Sequence, residues 1–378
     1  MSTDTTPKRG LRRLLPRLAL ALGTLVIADL GAGLVLVPAA QVGFRRPDPW
    51  YHHGLVPSAS GTTVWGESEY PFATNSLACV DRSAREVPLE SDARRVLLLG
   101  DSFTEGIGVP FAESFAGLLE ERLGPAGIEV LNAGVVSFSP RLYRLRLEDL
   151  LRREGLRVDE LVVLIDMSDI QDEVLYRHFE PHVPGALERA RGRVGRFLRD
   201  HSFTLHTLDT LLAARRREAK RELYGLTDLP PWLDYFWLDN IDTEPMADPT
   251  FRRVRLTWDD ADMAGNRWAE LGIGLATENM DGVAELCREF EIELSVAVYP
   301  WPPQIAEGDA QSRQIGLWRD WCERRGARFV DLFPTFLAAP DKSPEAIVAE
   351  EFLKGDVHWN AAGHRRMADA LEPFLRGP

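Results

Sequence analysis

The feature that most constrains the fold is an alternation of short apolar runs with helical stretches from residue 94 onward. The first run, Val96-Leu97-Leu98-Leu99, is continuous and apolar, which is typical of a parallel strand buried on both faces. Further strands are predicted over 128–131, 161–165, 292–298 and 327–332, and helices over 111–123, 140–153, 280–290, around Trp318 and Trp321, and over 361–375. Such alternation predicts right-handed crossovers between parallel strands. We therefore expect an α/β, flavodoxin-like three-layer sandwich with a central parallel sheet of about five strands.

The alternation is interrupted after the third strand by a long insertion, residues 174–265. The insertion has a basic helical portion over 215–221 and an aromatic, proline-rich portion over 230–237. It follows the carboxyl end of a strand, the edge at which such sheets bind ligands. It is thus either a lid or substrate platform or a surface elaboration without a role in chemistry.

A second constraint is the apolar span 18–40, whose single charge is Asp29. As a helix it would be about 34 Å long, enough to cross a hydrocarbon core of about 30 Å. Five basic residues precede it, which predicts a cytoplasmic tail over 1–17, a transmembrane signal anchor over 18–40 and an extracytoplasmic body. The carboxyl at mid-span costs about 3 kcal/mol. The alternatives are a cleaved signal peptide, with Val37 and Ala39 at the cut, and a buried helix.

Composition limits the function classes. With 45% hydrophobic and 27% charged residues, the chain is neither disordered nor a polytopic membrane protein. Lys+Arg number 44 against 58 Asp+Glu, a net charge of −14, which argues against nucleic acid as a partner. Residues 41–90 show little periodicity and are predicted to be a linker and an irregular lead segment before the main domain, 91–378.

The three cysteines, Cys79, Cys287 and Cys322, form no disulfide framework. Cys287 and Cys322 both fall on predicted helices and could pair if those helices are neighbours. The favoured alternative is three buried thiols that act as small hydrophobic side chains.

The first chemical motif is Gly100-Asp101-Ser102, directly after the first predicted strand. A serine at this turn lies at the carboxyl edge of the sheet, where backbone N–H groups can stabilise an anion. This position suits a nucleophile whose attack creates an oxyanion. Asp and Ser before a helix are also ordinary caps.

The second motif is Asp356-Val357-His358-Trp359-Asn360 near the C-terminus. A serine needs a base to take its proton, and imidazole has a suitable pKa. In an extended segment Asp356 and His358 point to the same side, so Asp356 can orient the imidazole. The alternatives are a polar loop with Asn360 capping the last helix, and a metal site of Asp356, His358 and His364.

Together these blocks resemble the SGNH (GDSL-type) hydrolase superfamily over residues 94–173 and 280–375. The resemblance implies Ser102 as nucleophile, with the N–H groups of Ser102 and Gly134, in Asn132-Ala133-Gly134, in the oxyanion hole. The family's third block usually reads Gly-x-Asn-Asp, whereas this chain places Ser168 where the asparagine is expected. The shorter hydroxyl as third donor would weaken the hole, at a cost of about 10²-fold in rate.

The last block also departs from the usual Asp-x-x-His. Its Asp-x-His-Trp-Asn form is similar to the alginate O-acetyltransferase-like branch, whose members are exported and modify polysaccharides. The resemblance therefore leaves open whether water or a sugar hydroxyl is the final acyl acceptor.

Other residues at the same edge are candidates for substrate contact. Trp301 and Trp359 form either a sugar-stacking wall or core packing, and Asp169 is a further candidate. The acids Asp166, Asp169, Asp172 and Glu173 could instead hold Mg²⁺ or Ca²⁺, supply a glycosidase pair, or cap helices and pair with arginines.

The sequence predicts a membrane-anchored serine esterase that needs no cofactor or metal, with Ser102, His358 and Asp356 as the catalytic residues. Its expected substrate is an acylated small molecule or polysaccharide outside the cytoplasm. An O-acetyltransferase working with polysaccharide-modification machinery and a non-catalytic glycan-binding or scaffold protein are the competing classes.

Overall fold

The computed structural model describes residues 8–36, 44–66, 68–205, 207–208, 267–338 and 342–377. The chain divides into two compact units, one formed by Met1–Gln41 with Val183–Leu223 and the other by Val42–His182 with Tyr224–Pro378. The predicted basic portion 215–221, the aromatic portion 230–237 and the possible cleavage residues Val37 and Ala39 lie outside the described residues.

The described residues form strands and helices in the following order. The strands are β1 Arg45–Asp48, β2 His52–Leu55, β3 Ser60–Trp65, β4 Ser68–Ala73, β5 Arg94–Leu99, β6 Ile128–Asn132, β7 Glu160–Ile165, β8 Glu293–Val298 and β9 Arg328–Asp331. The helices are α1 Lys8–Leu36, α2 Ser102–Glu105, α3 Phe115–Leu123, α4 Pro140–Glu148, α5 Ser168–Tyr176, α6 Ala186–His201, α7 Arg267–Glu289, α8 Pro302–Glu307, α9 Arg313–Arg325, α10 Phe333–Leu337, α11 Pro344–Glu351 and α12 Ala361–Arg376. Short 3₁₀ turns cover Phe111–Glu113 and Gly124–Ala126, and a π-helical turn covers Asp149–Glu154.

The larger unit is built on a five-stranded sheet in the order β6-β5-β7-β8-β9, with every neighbouring pair parallel. Leu98 in β5 lies opposite Asn132 on one side and Val162 on the other. The central strands are almost wholly apolar because both faces of the sheet are covered. This confirms the predicted α/β sandwich. Its strand order reverses at β5, the point where such sheets bind ligands at their carboxyl ends.

The helices form the outer layers of the sandwich. α3 packs against α12, while α4 and α5 both pack against α7. α7 begins at Arg267, thirteen residues before the predicted start, because Ile273 and Ala276 extend the buried stripe of Met280 and Val283. The insertion after the third strand of the sheet contains α6 and residues outside the described part of the chain.

The lead segment is more regular than the sequence predicts. β1 pairs with β2 and β3 pairs with β4, each as an antiparallel hairpin. Period-two patterning did not reveal them because the strands are short, and β3 has no buried face. Phe44, Tyr70 and Phe72 nevertheless enter the core of the unit, so the lead segment packs on the sheet-containing part of that unit.

All three cysteines are buried free thiols. Cys287 lies on α7 and Cys322 on α9, as predicted, and burial raises the pKa of each thiol to about 12. Their burial as free thiols agrees with the interpretation of these residues as small hydrophobic side chains.

The smaller unit contains α1 and α6. Within α1, the segment Pro16–Val35 is long and apolar enough to cross a membrane by length and composition. The helix ends at Leu36, so the last four residues of the predicted span lie outside the described part of the chain.

Candidate active site

The candidate nucleophile lies on a tight turn between β5 and α2. Gly100 is required there, because a Cβ at this position would lie 2.0 Å from Thr104 Oγ1. Asp101 caps α2, with its side chain accepting a hydrogen bond from the Phe103 N–H at 3.0 Å. Ser102 is consequently the first residue of α2, at the carboxyl edge of the sheet.

The structure brings Ser102, His358 and Asp356 into one hydrogen-bonded chain. His358 Nε2 lies 2.8 Å from Ser102 Oγ across 256 positions of sequence, and His358 Nδ1 lies 2.7 Å from Asp356 Oδ1. With Asp356 ionised, Nδ1 carries the imidazole proton and Nε2 is free to accept the serine proton. The three side chains therefore have the geometry of a nucleophile, its base and the group that orients the base.

The carboxylate of Asp356 is held in its charged form. Burial alone raises its pKa, but attraction to His358 and hydrogen bonds from His358 and Trp65 outweigh burial and lower the pKa below its ordinary value. Trp65 Nε1 donates to Asp356 Oδ2 at 2.6 Å, and the indole ring lies edge-on to His358 with centroids 5.2 Å apart. Both carboxylate oxygens thus have fixed partners.

Replacing Trp65 with phenylalanine should lower kcat by about 10- to 100-fold, since a hydrogen bond to a charged group contributes about 1.5–3 kcal/mol. Phenylalanine keeps an aromatic ring beside His358 but lacks the N–H, so KM should change little. Ester hydrolysis kinetics measure both quantities. Trp50→Phe is the matched control, because the Trp50 indole N–H has no hydrogen-bond partner among the described residues. Equal effects of the two substitutions would show that the Trp65 hydrogen bond is unimportant.

The two predicted backbone oxyanion donors, the N–H groups of Ser102 and Gly134, differ in whether they already have an acceptor in the protein. As the first residue of α2, Ser102 has a backbone N–H without an acceptor inside the helix. The Gly134 N–H instead donates to Asn132 Oδ1 at 2.9 Å. Gly134 is needed for another reason, because a Cβ there would lie 2.5 Å from the Glu105 nitrogen. The expectation of a free Gly134 donor is therefore not met in this arrangement.

Ser168 also departs from its predicted role. Its hydroxyl donates to Asp166 Oδ1 at 2.7 Å, and its backbone N–H donates to the same oxygen at 2.6 Å. Asp166, two residues earlier in the chain, accepts both hydrogen bonds from Ser168. The Ser168 hydroxyl is therefore not oriented to donate to an oxyanion.

This orientation makes a prediction for Ser168→Ala. Removing a true oxyanion donor lowers kcat by about 10²–10³-fold. We expect Ser168→Ala to lower kcat less than about tenfold, because the lost hydrogen bond goes to Asp166. Steady-state ester hydrolysis tests this, and a loss of two orders of magnitude would return Ser168 to the oxyanion hole.

The tryptophans and acids predicted to contact substrate are interior residues. Trp359 has 0% of its surface exposed and stacks on Phe336, while Trp301 is 3% exposed and donates to Asp166 Oδ2 at 2.6 Å. Asp169 is fully buried and accepts a hydrogen bond from Tyr143 at 2.5 Å. This corrects the expectation of a sugar-stacking wall: the rings pack the core behind the site and leave no face for a ligand.

Asp166 and Glu173, two other members of the acidic cluster, also form hydrogen bonds with protein groups. Asp166 accepts bonds from Ser168 and Trp301, and Glu173 accepts from Ser139 and Asn279. Burial raises the pKa of Glu173 to about 7. Burial and the charge of Asp166 raise the pKa values of Asp101 and Asp169 well above the ordinary range. Among the described residues, no group of three or more His, Cys, Asp or Glu side chains is placed to hold a metal ion.

The second histidine of the C-terminal motif lies apart from the reacting groups. His364 Nδ1 accepts the Phe115 N–H at 3.3 Å, and its ring stacks on Phe115. Burial, with a smaller contribution from His358, lowers the pKa of His364 to about 3. Asn360 caps α12 through the N–H groups of Ala362 and Gly363, as the alternative interpretation of the motif predicted.

His364 should make the protein acid-sensitive. Because its folded pKa of about 3 lies below the unfolded value of about 6.5, its stabilising contribution is complete above about pH 6.5 and is lost as the pH falls towards 3. We expect a slope of up to about 1.4 kcal/mol per pH unit in the free energy of unfolding, reduced in His364→Gln. Denaturant melts between pH 4 and 7 measure it. His178→Gln, at an exposed position, is the control, and unchanged slopes in both variants would contradict the assignment.

The lead segment contributes residues that sequence reasoning missed. Trp65 reaches Asp356 from 291 positions away, and Arg45 in β1 forms an ion pair with Glu105 in α2. Glu105 also accepts the Val136 N–H at 2.8 Å, which ties α2 to the loop after β6. In the sequence, Trp65 stands out only as a tryptophan in a polar stretch, and this does not indicate that Asp356 is its hydrogen-bond partner.

Comparisons with known proteins give structural likenesses only. No protein-family model matches the chain, and no curated protein matches it. Solved structures with a similar fold include TesA, at 12% identity and a TM-score of 0.37, covering 75% of this chain and 98% of that one. Another is the psychrotrophic esterase EstA from Pseudoalteromonas sp., at 12% identity and a TM-score of 0.36, covering 75% and 100%.

A third is Axe2, an acetylxylan esterase from Geobacillus stearothermophilus, at 14% identity and a TM-score of 0.37, covering 77% and 95%. At such low identities and TM-scores these overlaps do not bear on the activity of this chain.

Proposed function

We propose that the protein is a serine esterase of the SGNH type that cleaves acyl esters through an acyl-enzyme on Ser102. The observation that carries the proposal is the continuous hydrogen-bonded chain from Ser102 Oγ through His358 to Asp356. Its position at the carboxyl edge of β5, where the strand order reverses, is where an α/β sheet of this kind binds ligands.

In the first half-reaction, Ser102 Oγ attacks the ester carbonyl carbon while His358 Nε2 takes its proton. Asp356 stabilises the imidazolium that forms. The developing oxyanion is met by the Ser102 N–H at the start of α2. The intermediate collapses when the C–O bond to the alcohol breaks and His358 returns the proton to the departing oxygen.

In the second half-reaction, His358 takes a proton from water, which attacks the acyl carbon of the Ser102 ester. Collapse of the second tetrahedral intermediate releases the carboxylic acid, and the proton returns to Ser102 Oγ. The same base and the same nucleophile thus serve both halves of the reaction.

For the location, we propose that α1 anchors the chain in a membrane with the N-terminus in the cytoplasm and the catalytic unit outside. Support comes from the apolar segment Pro16–Val35 and from the basic residues at its start: four precede it, and the fifth, Arg17, is its second residue. An acylated saccharide or another exported acyl ester is the proposed substrate.

Two alternatives each have an observation in their favour. The Asp-x-His-Trp-Asn spacing at 356–360 favours an O-acetyltransferase that passes the acyl group to an extracytoplasmic polysaccharide, in company with polysaccharide-modification machinery. The commitment of Gly134 and Ser168 to protein acceptors favours a glycan-binding or scaffold protein without turnover.

Turnover of p-nitrophenyl acetate, with and without an oligosaccharide acceptor, separates the three. An esterase releases nitrophenol and free acetate in steady state with water alone. A transferase gives a burst and then steady turnover only when the oligosaccharide is present, with acetate on the sugar. Absence of turnover in both conditions would overturn the enzymatic proposal.

A further inference from the structure

The apolar helix α1 carries one acidic residue, and the structure gives it specific partners in the insertion. Asp29 Oδ2 accepts a hydrogen bond from the Ser202 hydroxyl at 2.5 Å, and Asp29 Oδ1 accepts the Thr204 N–H at 2.8 Å. Ser202 directly follows α6, and its hydroxyl also accepts the Leu205 N–H at 3.0 Å. The carboxylate therefore organises the turn at the end of α6.

A glycine one turn further along α1 allows the same contact. A Cβ on Gly33 would lie 1.9 Å from the His201 carbonyl oxygen and 3.2 Å from the Phe203 nitrogen. A Cβ on Gly31, two residues earlier, would meet nothing within 4 Å. Asp29 and Gly33 lie four residues apart, on one face of α1, and together they receive the end of α6.

The position of Asp29 along α1 sets the depth of this contact. Asp29 precedes Val35, the last residue of the apolar segment within the described part of α1, by six residues, which is about 9 Å along the helix. Amphipathic helices at a membrane surface bury their apolar faces about 5–10 Å into the boundary between headgroups and acyl chains. Counted to Val35, the distance of Asp29 from the end of the segment falls in this range.

α6 itself has the pattern of such a helix. Leu187, Val194 and Phe197 recur at helical spacing and are 65%, 59% and 53% exposed. At about 100° per residue, positions 189, 196 and 199, all arginine, fall on the opposite side of the helix, while the arginines at positions 191 and 193 flank the apolar positions. Basic residues opposite an exposed apolar face are complementary to anionic headgroups above acyl chains.

We propose that α6 and the turn after it lie in the outer-leaflet interface of the membrane, docked on α1 through Asp29 and Gly33. The occupant of the exposed apolar face of α6 is lipid. This inference rests on the membrane anchoring proposed above and is independent of the esterase activity. It gives the lone carboxyl of the span a structural role, as the acceptor that fixes the end of α6.

The lipid contact is tested with an environment-sensitive fluorophore on single introduced cysteines in the full chain. The vesicles contain three parts phosphatidylethanolamine to one part phosphatidylglycerol. Val194→Cys and Phe197→Cys report on the apolar face, and Gly192→Cys, where a Cβ would meet nothing within 4 Å, is the control on the other side. The native cysteines are buried and are spared under native labelling conditions.

Brominated acyl chains should quench the fluorophore at positions 194 and 197 at least about twofold more strongly than at 192, and aqueous iodide should show the reverse order. Equal quenching by iodide at all three positions would place α6 in water and overturn the proposal. Protection of 194 and 197 from both quenchers would mean that protein, such as a second copy of the chain, covers the apolar face of α6, and would also overturn the proposal.

The outcomes also separate this proposal from the other two. Retained lipid quenching without ester turnover would refute the esterase alone. Extraction of the chain by alkaline carbonate would refute the membrane anchoring and this proposal together.

The docking contact has its own matched pair of variants. With the fluorophore on Leu205→Cys, Gly33→Leu should lower quenching by brominated lipid about twofold or more, because its side chain cannot fit against His201. Gly31→Leu should leave the quenching unchanged. Equal behaviour of the two leucine variants would overturn the docking of α6 on α1.

Discussion

Replacing Ser102 with alanine is expected to lower kcat for ester hydrolysis by about 10⁴–10⁶-fold, the range for loss of a nucleophile that acts together with a base. The reason is geometric: Ser102 Oγ is the atom placed 2.8 Å from His358 Nε2, and alanine leaves the base without a proton to take. The measurements are p-nitrophenyl acetate turnover and covalent labelling by a fluorophosphonate. Wild-type protein should be labelled and Ser102→Ala should not.

Ser295→Ala is the control for this experiment. Ser295 is also buried, but it lies in β8, where its hydroxyl donates to Glu160 at 3.3 Å. Removing it should leave labelling intact. Equal labelling of wild type and Ser102→Ala would remove the nucleophile assignment, whatever the rate of hydrolysis.

The main sheet could be predicted because its strands are buried on both faces. Short continuous apolar runs such as 161–165 are typical of strands buried on both faces. The helices between these runs serve as crossovers, which connect strands that run parallel to one another. All five predicted strands are present, with ends that differ from the predicted ones by at most two residues. Strand ends depend on hydrogen bonds to neighbouring strands, which apolar patterning does not report.

The hairpins of the lead segment could not be predicted in the same way. β3 is exposed along most of its length, so its residues carry no alternation, and the pairing with β4 comes from backbone hydrogen bonds. The contact from Trp65 to Asp356 depends on where that hairpin packs. Tertiary placement of this kind leaves no local trace in the sequence.

Within the site, spacing predicted which residues meet but not which way their hydrogen bonds point. Asp356 and His358 share a side because they are two apart, and the sheet brings Ser102 to them. Gly134 and Ser168 occupy the expected loops, yet acceptors two residues upstream, Asn132 and Asp166, take their donors. Short polar side chains often form hydrogen bonds with backbone groups close to them in sequence, and at positions 134 and 168 these local bonds replace the expected orientation of the donors.

The second large effect is expected for Asp356→Asn, which should lower kcat about 10⁴-fold near neutral pH. The asparagine amide can donate a hydrogen bond to His358 Nδ1, which favours the tautomer with its proton on Nε2, and that nitrogen then cannot accept the Ser102 proton. The hydrogen bond from Trp65 can still be accepted by the amide oxygen, so the fold around the site should persist. Fluorophosphonate labelling should slow in parallel with hydrolysis, because both reactions need the same base.

Asp331→Asn is the matched control for the loss of a carboxylate at this sheet edge. Asp331 ends β9 and accepts the Phe333 N–H at 3.0 Å, outside the Ser102–His358 chain. Its replacement should change kcat by no more than about threefold, in line with an ordinary surface substitution. If Asp356→Asn lowered kcat by less than about tenfold while Ser102→Ala abolished turnover, His358 would be oriented by other contacts, and Asp356 would lose its place in the proposed mechanism.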